Sequence, residues 1–155
     1  ELVIALAILK AHTVKELAPA DSLIIGCDST FEFEGKSLGK PGSKENAIAR
    51  CKQLSGKSGY LHTGHCVIDL KNGIELSERS TAKVQFAQMT DAEINDYVDS
   101  GEPLNVAGGF TLDGLSAPFI TNIEGDPSGI IGLSLPLLRK MVISLGYSWP
   151  DLKNK

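Results

Sequence analysis

The chain begins with hydrophobic residues at helical spacing and continues with an uninterrupted apolar run. One helical face near the start is formed by Leu2, Ala5, Leu6, Leu9 and Thr13. Pro19 ends this helix, because proline disfavours helical geometry at the residue before it. The apolar run at 22–27 is typical of a strand that is buried on both faces. The pattern therefore predicts a helix and then a buried strand that ends at Asp28.

The next segment changes to a two-residue alternation and then returns to helical spacing. Phe31-Glu32-Phe33-Glu34 alternates between apolar and charged residues and meets Gly35, which predicts a small hairpin arm. The loop 38–43 follows this arm. A helix is then predicted from about Lys44 to Leu54, with Ser43 as its N-cap.

Two alternating stretches, 60–70 and 74–87, predict a pair of strands in the middle of the chain. They flank Lys71-Asn72-Gly73, and Asn-Gly between two such stretches is a strong hairpin signal. Thr90 to Glu93 has the sequence of a capping box for a short helix, which Gly101 ends.

The last third of the chain combines a long loop with one more strand and helix. Residues 102–116 are rich in glycine and proline, and a loop of this length is more often functional than idle. A strand is predicted near 118–123, and Ser134 opens a final helix that Gly146 closes. The buried stripe of this helix is predicted to be Leu135, Leu138, Val142 and Leu145. These elements predict an α/β fold with a mixed central sheet flanked by helices, in one domain over residues 1–155.

Composition and charge narrow the classes of function. The chain carries 15 Lys and Arg against 19 Asp and Glu, a net charge of −4, and this argues against a nucleic-acid partner because such binders carry a basic excess. No apolar stretch approaches the roughly 18 residues of a membrane span, so we expect no membrane partner. Cys27, Cys51 and Cys66 show no paired spacing and predict no disulfide framework. We expect a soluble, cytoplasmic protein.

Three polar residues stand where a phosphate-bearing ligand would meet them. Asp28 follows the most apolar strand, and ligands of open α/β sheets collect at strand ends. A carboxylate there can hold a divalent cation that is shared with substrate phosphates. Lys40 lies in a Gly-Lys-Pro-Gly loop before a helix, where N–H groups and an ammonium favour an anion, and Lys10 projects from the first helix. Each residue also has a structural interpretation, as a turn-capping carboxylate or a solvated lysine.

Other motifs favour structural roles. Four residues have the chemistry of zinc ligands: His62, His65, Cys66 and Asp69. Strand geometry argues against one shared ion, since His62 lies about 13 Å from Cys66 along a strand and the other two residues face the opposite side. Cys66 is interpreted as a small buried hydrophobe rather than a nucleophile paired with a histidine. The segment 108–114 lacks the glycine spacing of a dinucleotide-binding loop, and the chain contains no Walker motif.

Eight short motifs occur in the order found in Maf proteins and together cover nearly the whole chain. They are Ala-Leu-Ala-Ile-Leu-Lys-Ala (5–11), Ile-Ile-Gly-Cys-Asp-Ser (24–29), Leu-Gly-Lys-Pro (38–41), His-Thr-Gly (62–64), Ser-Gly-Glu-Pro-Leu (100–104), Ala-Gly-Gly-Phe (107–110), Ile-Glu-Gly-Asp-Pro (123–127) and Ile-Ile-Gly-Leu-Ser-Leu-Pro-Leu-Leu-Arg (130–139). The chain therefore resembles the Maf family, whose fold is similar to that of the inosine-triphosphate pyrophosphatases.

The resemblance implies an enzyme that cleaves a nucleoside triphosphate to the monophosphate and pyrophosphate with a divalent cation, Mg²⁺ or Mn²⁺. Asp28 matches the family's catalytic carboxylate, as proton acceptor, metal ligand or both. Lys10 and Lys40 match the two lysines that face the triphosphate. The resemblance also implies the clearing of non-standard nucleotides and a link to septum formation and cell-division arrest in bacteria.

Two departures from the family pattern bear on activity. The family opens with a strand and a Ser-x-Ser-Pro-Arg-Arg motif that lines the phosphate site, and nothing like it occurs here, so we expect an N-terminally incomplete domain. The subfamily that acts on dTTP and UTP carries glutamine where this chain has Asp113, which leaves the base preference open.

The resemblance also leaves a second class of function open. A nucleotide-binding module without turnover is the alternative to the pyrophosphatase. A homodimer is expected, as is common in the family. The segment Phe31-Glu32-Phe33 and the residues Tyr147 and Trp149 are candidate contact surfaces for it.

Overall fold

The computed structural model of the chain describes residues 2–153. Within this range the α-helices are α1 (Leu2–Val14), α2 (Lys44–Leu54), α3 (Asp91–Asp99), α4 (Pro127–Ile131) and α5 (Leu135–Ser144). The strands are β1 (Leu23–Phe33), β2 (Lys36–Leu38), β3 (Ser58–Asp69), β4 (Ile74–Phe86) and β5 (Ile120–Glu124). None of the described helices has both the length and the apolar character that a membrane span needs.

The strands form one sheet in the order β2-β1-β3-β4-β5, with helices packed around it. The α/β class with a flanked central sheet is confirmed. Every pairing within residues 2–153 is antiparallel, rather than the mixed set that was expected. The difference arises at β2, because this short strand reverses the chain before α2. As a result β3 enters the sheet in the direction opposite to β1.

Both predicted hairpins are present. β3 and β4 pair from Asp69 opposite Ile74 to the far end of the sheet, and the turn between them contains Gly73 with a φ of 66°. β1 and β2 meet with Phe33 opposite Lys36. Glu34 and Gly35 between them have φ values of 49° and 79°, the positive pair that a tight two-residue hairpin requires.

β1 does not end at Asp28, as the apolar run suggested, but continues to Phe33. Asp28 pairs with Gly64 in the middle of the strand. Phe31 and Phe33 are buried in an apolar cluster that also contains Leu61, Val84, Phe86 and Phe110. The prediction that Phe31-Glu32-Phe33 forms a dimer contact is therefore wrong, since both aromatic rings belong to the core of the chain.

α1 packs with a different face from the one predicted. Its buried residues are Val3, Ala7 and Ala11. Leu2 and Leu9, which the periodicity placed on the buried face, are 65% and 62% exposed. The sequence of α1 is apolar on most sides, so periodicity alone cannot choose between its faces.

The strands below α1 decide which face is buried. A Cβ on Gly26 of β1 would collide with the backbone of Ala7, and a Cβ on Gly64 of β3 would collide with the backbone of Val3. The helix therefore lies against the sheet at backbone distance. Only its small side chains leave room for this approach, and leucines at the contact would hold the helix away from β1.

The predicted helix starts are confirmed. Ser43 accepts a hydrogen bond from the Asn46 N–H, Thr90 forms a complete capping box with Glu93, and Ser134 caps α5. The buried stripe of α5 differs from the prediction at its first residue. Met141 is buried with Leu138 and Val142, whereas Leu135 is half exposed. Leu135 lies in the first turn, before the helix reaches the sheet.

Candidate active site

Asp28 and Lys10 meet on the face of β1 that α1 covers. Lys10 Nζ lies 2.6 Å from Asp28 Oδ1, and the two side chains are 58% and 21% exposed. The contact exists because α1 lies at backbone distance from the strands. Gly64, the residue opposite Asp28 on β3, has no side chain, and the space beside it is filled by the backbone of Val3 and Ile4 in α1. The Asp28 side chain is partly exposed, so a ligand can reach its carboxylate from solvent.

Lys40 lies in the loop that follows β2. Leu38 is opposite Phe31, so the chain leaving β2 continues along β1 in the direction of Ser29 and Asp28. Lys40 is exposed, and no ion pair or hydrogen bond joins its side chain to another of the described residues. The structure thus brings Lys10 into contact with Asp28 and leaves Lys40 in the loop after β2 without such a contact.

The outer edge of β1 is open beside Asp28. β2 covers this edge only at Phe31–Phe33, so the edge from Leu23 to Thr30 has no strand partner among residues 2–153. Alternate residues of an edge strand direct their N–H and C=O groups outwards. These groups can therefore hydrogen-bond a ligand that lies across the edge.

A recess of about 180 Å³ opens on the other face of β1. Its polar lining residues are Ser29, Thr111 and Asp113, and its apolar ones include Leu61, Phe110 and Ile130. Successive residues of a strand face opposite sides, so Asp28 and Ser29 point to the two sides of the same open edge.

A chain of hydrogen bonds fixes Ser29 in the recess wall. Thr63 Oγ1 donates to the Gly129 carbonyl at 2.9 Å, and the Ser29 and Thr63 hydroxyl oxygens are 2.8 Å apart. Since the Thr63 proton goes to Gly129, the Ser29 hydroxyl donates to Thr63. The Ser29 oxygen therefore keeps acceptor capacity for a ligand in the recess.

The residues with zinc-ligand chemistry are separated by the sheet, as strand geometry predicted. His62 Nδ1 contacts Thr81 Oγ1 at 2.8 Å on the face of α1, whereas the buried His65 accepts from the Ser134 N–H at 2.9 Å on the opposite face. Asp69 accepts from Asn72 and Tyr147. Burial raises the pKa of the Cys66 thiol to about 11, so it is not a thiolate nucleophile at neutral pH.

Asp28 is the candidate carboxylate for a divalent cation. Among residues 2–153, no group of three or more His, Cys, Asp or Glu side chains is placed to hold a metal ion. Magnesium is commonly held by one or two carboxylates, with substrate phosphates and water completing its coordination. Asp28, a partly exposed carboxylate, is suited to such a shared ion and unsuited to a cage made by protein ligands alone.

The sequence predicted Asp28, Lys10 and Lys40 as site residues but did not predict the recess. Its lining comes from β1, β3, the 106–113 loop and α4, which are far apart in the chain. One signal was present, because a residue next to a strand carboxylate must face the other side of the sheet. That signal indicates Ser29 but none of the more distant residues.

The fold and the site together define an α/β protein in which a lysine of α1 contacts a carboxylate in the middle of β1, with a recess on the other face of that strand. The family model described as Maf-like protein matches residues 1–145. A nucleoside triphosphate pyrophosphatase from Thermosynechococcus vestitus is 51% identical over the whole chain, which covers 78% of that relative. One from Streptomyces coelicolor is 51% identical over 98% of the chain and 74% of the relative. This chain belongs to the Maf-like protein family.

A third relative aligns with this chain as part of a longer protein. A nucleoside triphosphate pyrophosphatase/Nudix hydrolase fusion protein from Bifidobacterium longum is 51% identical over 88% of the chain, which covers 28% of that relative. The enzymatic name is thus shared by relatives with different overall architectures.

Proposed function

We propose that this chain hydrolyses a nucleoside triphosphate to the monophosphate and pyrophosphate. The observation that carries the proposal is the contact of Asp28 with Lys10 at an open strand edge, in a family whose relatives are named for this activity. In this reaction a water oxygen bonds to the α-phosphorus, the bond from that phosphorus to the bridging oxygen breaks, and pyrophosphate leaves.

Asp28 and the two lysines divide the work of this reaction. The Asp28 carboxylate accepts the proton of the attacking water, or orients that water, on its solvent-exposed side. Lys10 holds the carboxylate in place and adds positive charge beside it. Lys40 supplies a second ammonium to the triphosphate. Phosphoryl-type transfer depends mainly on positioning and charge stabilisation, and these groups provide both in a chain of net charge −4.

We also propose a divalent cation, Mg²⁺ or Mn²⁺, with Asp28 as its protein ligand. The ion supplies charge neutralisation of the phosphates when it is bound. Asp28 would hold it together with phosphate oxygens, because no group of three or more potential protein ligands is placed to hold a metal ion among residues 2–153.

The nucleoside part has room in the recess lined by Ser29, Phe110 and Asp113. Phe110 offers an aromatic surface to a base, and Ser29 and Asp113 offer hydrogen-bond acceptors. This placement runs the triphosphate around the open edge of β1 towards Asp28 and Lys40. The identity of the base, standard or modified, is part of the proposal to be tested.

Product analysis separates the proposed activity from its alternative. The chain is incubated with a panel of standard and modified nucleoside triphosphates and Mg²⁺ or Mn²⁺, and pyrophosphate, orthophosphate and monophosphate are measured. Equal amounts of monophosphate and pyrophosphate are expected, with loss of both on chelation of the metal. Orthophosphate as the only inorganic product would contradict the proposal. Nucleotide binding without any product would favour a binding module.

We propose further that the protein acts in the cytoplasm as a homodimer, on nucleotides whose removal bears on cell division. Cys27, Cys51 and Cys66 are free thiols, which suits a reducing compartment. The link to division rests on the family resemblance.

A further inference from the structure

The two peptide carbonyls that flank Lys40 are both held by side chains of α2. Arg50 Nη1 donates to the Gly39 carbonyl at 2.8 Å. Asn46 Nδ2 donates to the Pro41 carbonyl at 3.2 Å. Asn46 and Arg50 are four residues apart and so lie on the same side of the helix. The backbone on each side of Lys40 is therefore tied to α2.

The same loop is fixed on its other side by the 102–109 segment. The Gly42 N–H donates to the Leu104 carbonyl at 3.1 Å. Gly109 packs so closely on the loop that a Cβ there would lie 3.1 Å from Pro41 Cγ and 3.5 Å from Arg50 Cγ. A loop rich in glycine and proline is thus held at two peptide groups, Gly39–Lys40 and Pro41–Gly42, while the Lys40 side chain itself stays exposed.

Arg50 occupies an unusual place for a charged residue. It lines a small, largely apolar cavity of about 20 Å³ with Cys51, Leu54, Tyr97 and Phe110. Burial lowers the pKa of its guanidinium, although arginine remains charged at neutral pH. An apolar side chain of similar length would suit these neighbours better. The hydrogen bond to the Gly39 carbonyl is the contact that requires an arginine here.

We propose that Arg50, assisted by Asn46, is a positioning residue that fixes the Lys40 loop in the geometry that receives the triphosphate. The inference rests on the proposed function, in which Lys40 binds phosphate. A lysine on a free Gly/Pro loop loses loop and side-chain entropy when it orders against a ligand, whereas a loop that is already fixed loses less. Arg50 thus acts on substrate affinity through Lys40, without touching the substrate.

The test is a double-mutant cycle between Arg50 and Lys40. Arg50→Met keeps the length and apolar contacts of the side chain and removes its donors. We expect kcat/KM to fall by about tenfold, mainly through a higher KM. Arg50→Lys, which keeps one charged donor, is expected to recover part of the loss. In a Lys40→Ala background the same Arg50→Met change is expected to cost less than about twofold, because its effect passes through Lys40.

Matched controls separate positioning from general structure. Lys52→Met removes a cation from the exposed side of the same helix and is expected to leave both kcat and KM unchanged. Asn46→Ala is the milder second variant, and it is expected to raise KM by a smaller factor. Thermal unfolding of each variant checks that the fold is retained. The proposal would be overturned if Arg50→Met lowered kcat/KM by the same factor with and without Lys40, or if it did not lower kcat/KM at all.

A readout without turnover keeps the inference distinct from the proposed function. Amide exchange of Gly42 reports opening of the loop in the absence of nucleotide. Exchange at this amide is expected to be faster in Arg50→Met than in the original chain or in Lys52→Met. If the chain releases no pyrophosphate but Gly42 exchange still accelerates, the proposed function fails and the role of Arg50 in fixing the loop stands. Unchanged exchange contradicts the role of Arg50.

Discussion

At the scale of single residues, the contact between Lys10 and Asp28 is more informative about function than about stability. Both side chains reach solvent, and an exposed ion pair contributes only about 0–1 kcal/mol. The arrangement that produces it is nevertheless demanding, because the carboxylate stands mid-strand and the lysine comes from a helix at backbone distance. A weak interaction held in a fixed geometry is what a site for charged ligands requires.

Asp28→Asn tests the carboxylate directly. The substitution keeps the shape of the side chain but removes its charge and its ability to accept a proton. We expect turnover to fall by roughly 10²–10⁴-fold, the range typical of removing a general base. Asp21→Asn, at an exposed carboxylate ahead of β1, is the matched control and should leave turnover unchanged. Near-normal rates in Asp28→Asn would remove Asp28 from the mechanism.

The two lysines are tested against two neighbouring lysines. Lys10→Ala and Lys40→Ala should each lower kcat/KM by roughly ten- to hundredfold, as expected for losing a charge-assisted contact to phosphate. Lys36 and Lys44 are the controls, and Lys44 already pairs with Asp99 at 3.1 Å. The loss of binding affinity in Lys10→Ala and Lys40→Ala should be smaller for a nucleoside monophosphate than for a triphosphate, since the monophosphate has fewer anionic oxygens. Equal damage in all four variants would indicate only a diffuse positive surface.

The candidate site was only partly predictable from sequence, for a physical reason. Asp28 could be found because a carboxylate after an apolar run is a local signal. Lys10 and Lys40 gained weight only from the family resemblance, since nothing local connects a helix residue with a carboxylate 18 positions later. The role of Arg50 had no sequence signal at all, because a long polar side chain on a helix is ordinarily solvated.

At the scale of elements, the close packing of α1 against the sheet also determines the position of Lys10 in the candidate site. Gly64→Ala places a methyl group against the backbone of Val3, so α1 must move away. We expect a loss of about 1–3 kcal/mol in the free energy of unfolding, as for other overpacked contacts, and a lower kcat/KM because Lys10 moves with the helix. Urea unfolding and steady-state kinetics measure the two effects.

Gly39→Ala provides the matched control for stability. Nothing lies within 4 Å of a Cβ on Gly39, and its φ is not in the left-handed region. Its free energy of unfolding should therefore stay within about 0.5 kcal/mol of the original chain. If Gly64→Ala also leaves the free energy of unfolding unchanged, the close approach of α1 to β3 is not required for stability.

His65 links β3 to the start of α5 and makes that link sensitive to acid. Its Nε2 accepts from the Ser134 N–H, so the proton sits on Nδ1, which donates to the Thr63 carbonyl. Burial lowers the pKa of His65, against opposing effects of the Thr63 hydrogen bond and of Asp126 and Glu78. The unfolded state then binds the proton more readily, so stability is complete above the unfolded pKa and falls as pH drops below it.

We expect the urea midpoint of the chain to fall between pH 7 and pH 5 partly because of His65. His65→Gln keeps an acceptor within reach of the Ser134 N–H but does not titrate in this range. Its midpoint should therefore fall less over the same interval, even if it starts lower at pH 7. A parallel decline in both proteins would mean that other groups cause the acid sensitivity.

The starts of helices could be predicted where a capping side chain marks them, but the buried face of α1 could not be predicted. Three helix starts are marked by N-cap side chains whose hydrogen bonds are local and need no tertiary partner: Ser43, Thr90 and Ser134. The buried face of α1 depends instead on Gly26 and Gly64, which lie in other elements. A helix that is apolar on most sides takes its orientation from its neighbours.

At the scale of the whole molecule, the expected homodimer now needs a different surface. Phe31 and Phe33 are in the core, and Tyr147 and Trp149 pack largely against α5 and its cluster. Exposed apolar side chains remain on α1 and the turn after it, including Leu9 and Leu17. Light scattering at micromolar concentration should give about twice the 16.5 kDa of the chain. A mass of 16.5 kDa would refute the dimer.

The fold class followed from the sequence, but the strand directions did not. Alternating helices and strands indicate an α/β protein, and this was correct. A three-residue strand such as β2 carries almost no periodicity, yet it reverses the chain and sets the direction of β3 relative to β1. The relative direction of two long strands can thus depend on the short strand whose sequence pattern is weakest.

The β3–β4 hairpin has a consequence for how the chain reaches this fold. Its strands are separated by only Leu70–Gly73 but form twelve cross-strand pairs, from Ser58 with Gln85 to Asp69 with Ile74. Closing so short a loop loses little chain entropy, whereas β5 must return to β4 across more than thirty residues. We expect the hairpin to be native-like in the folding transition state and β5 to dock late. Pulsed amide exchange should then protect Val67 and Leu76 before Ile123. The recess and the open edge of β1 would be completed last, on a sheet whose centre is already formed.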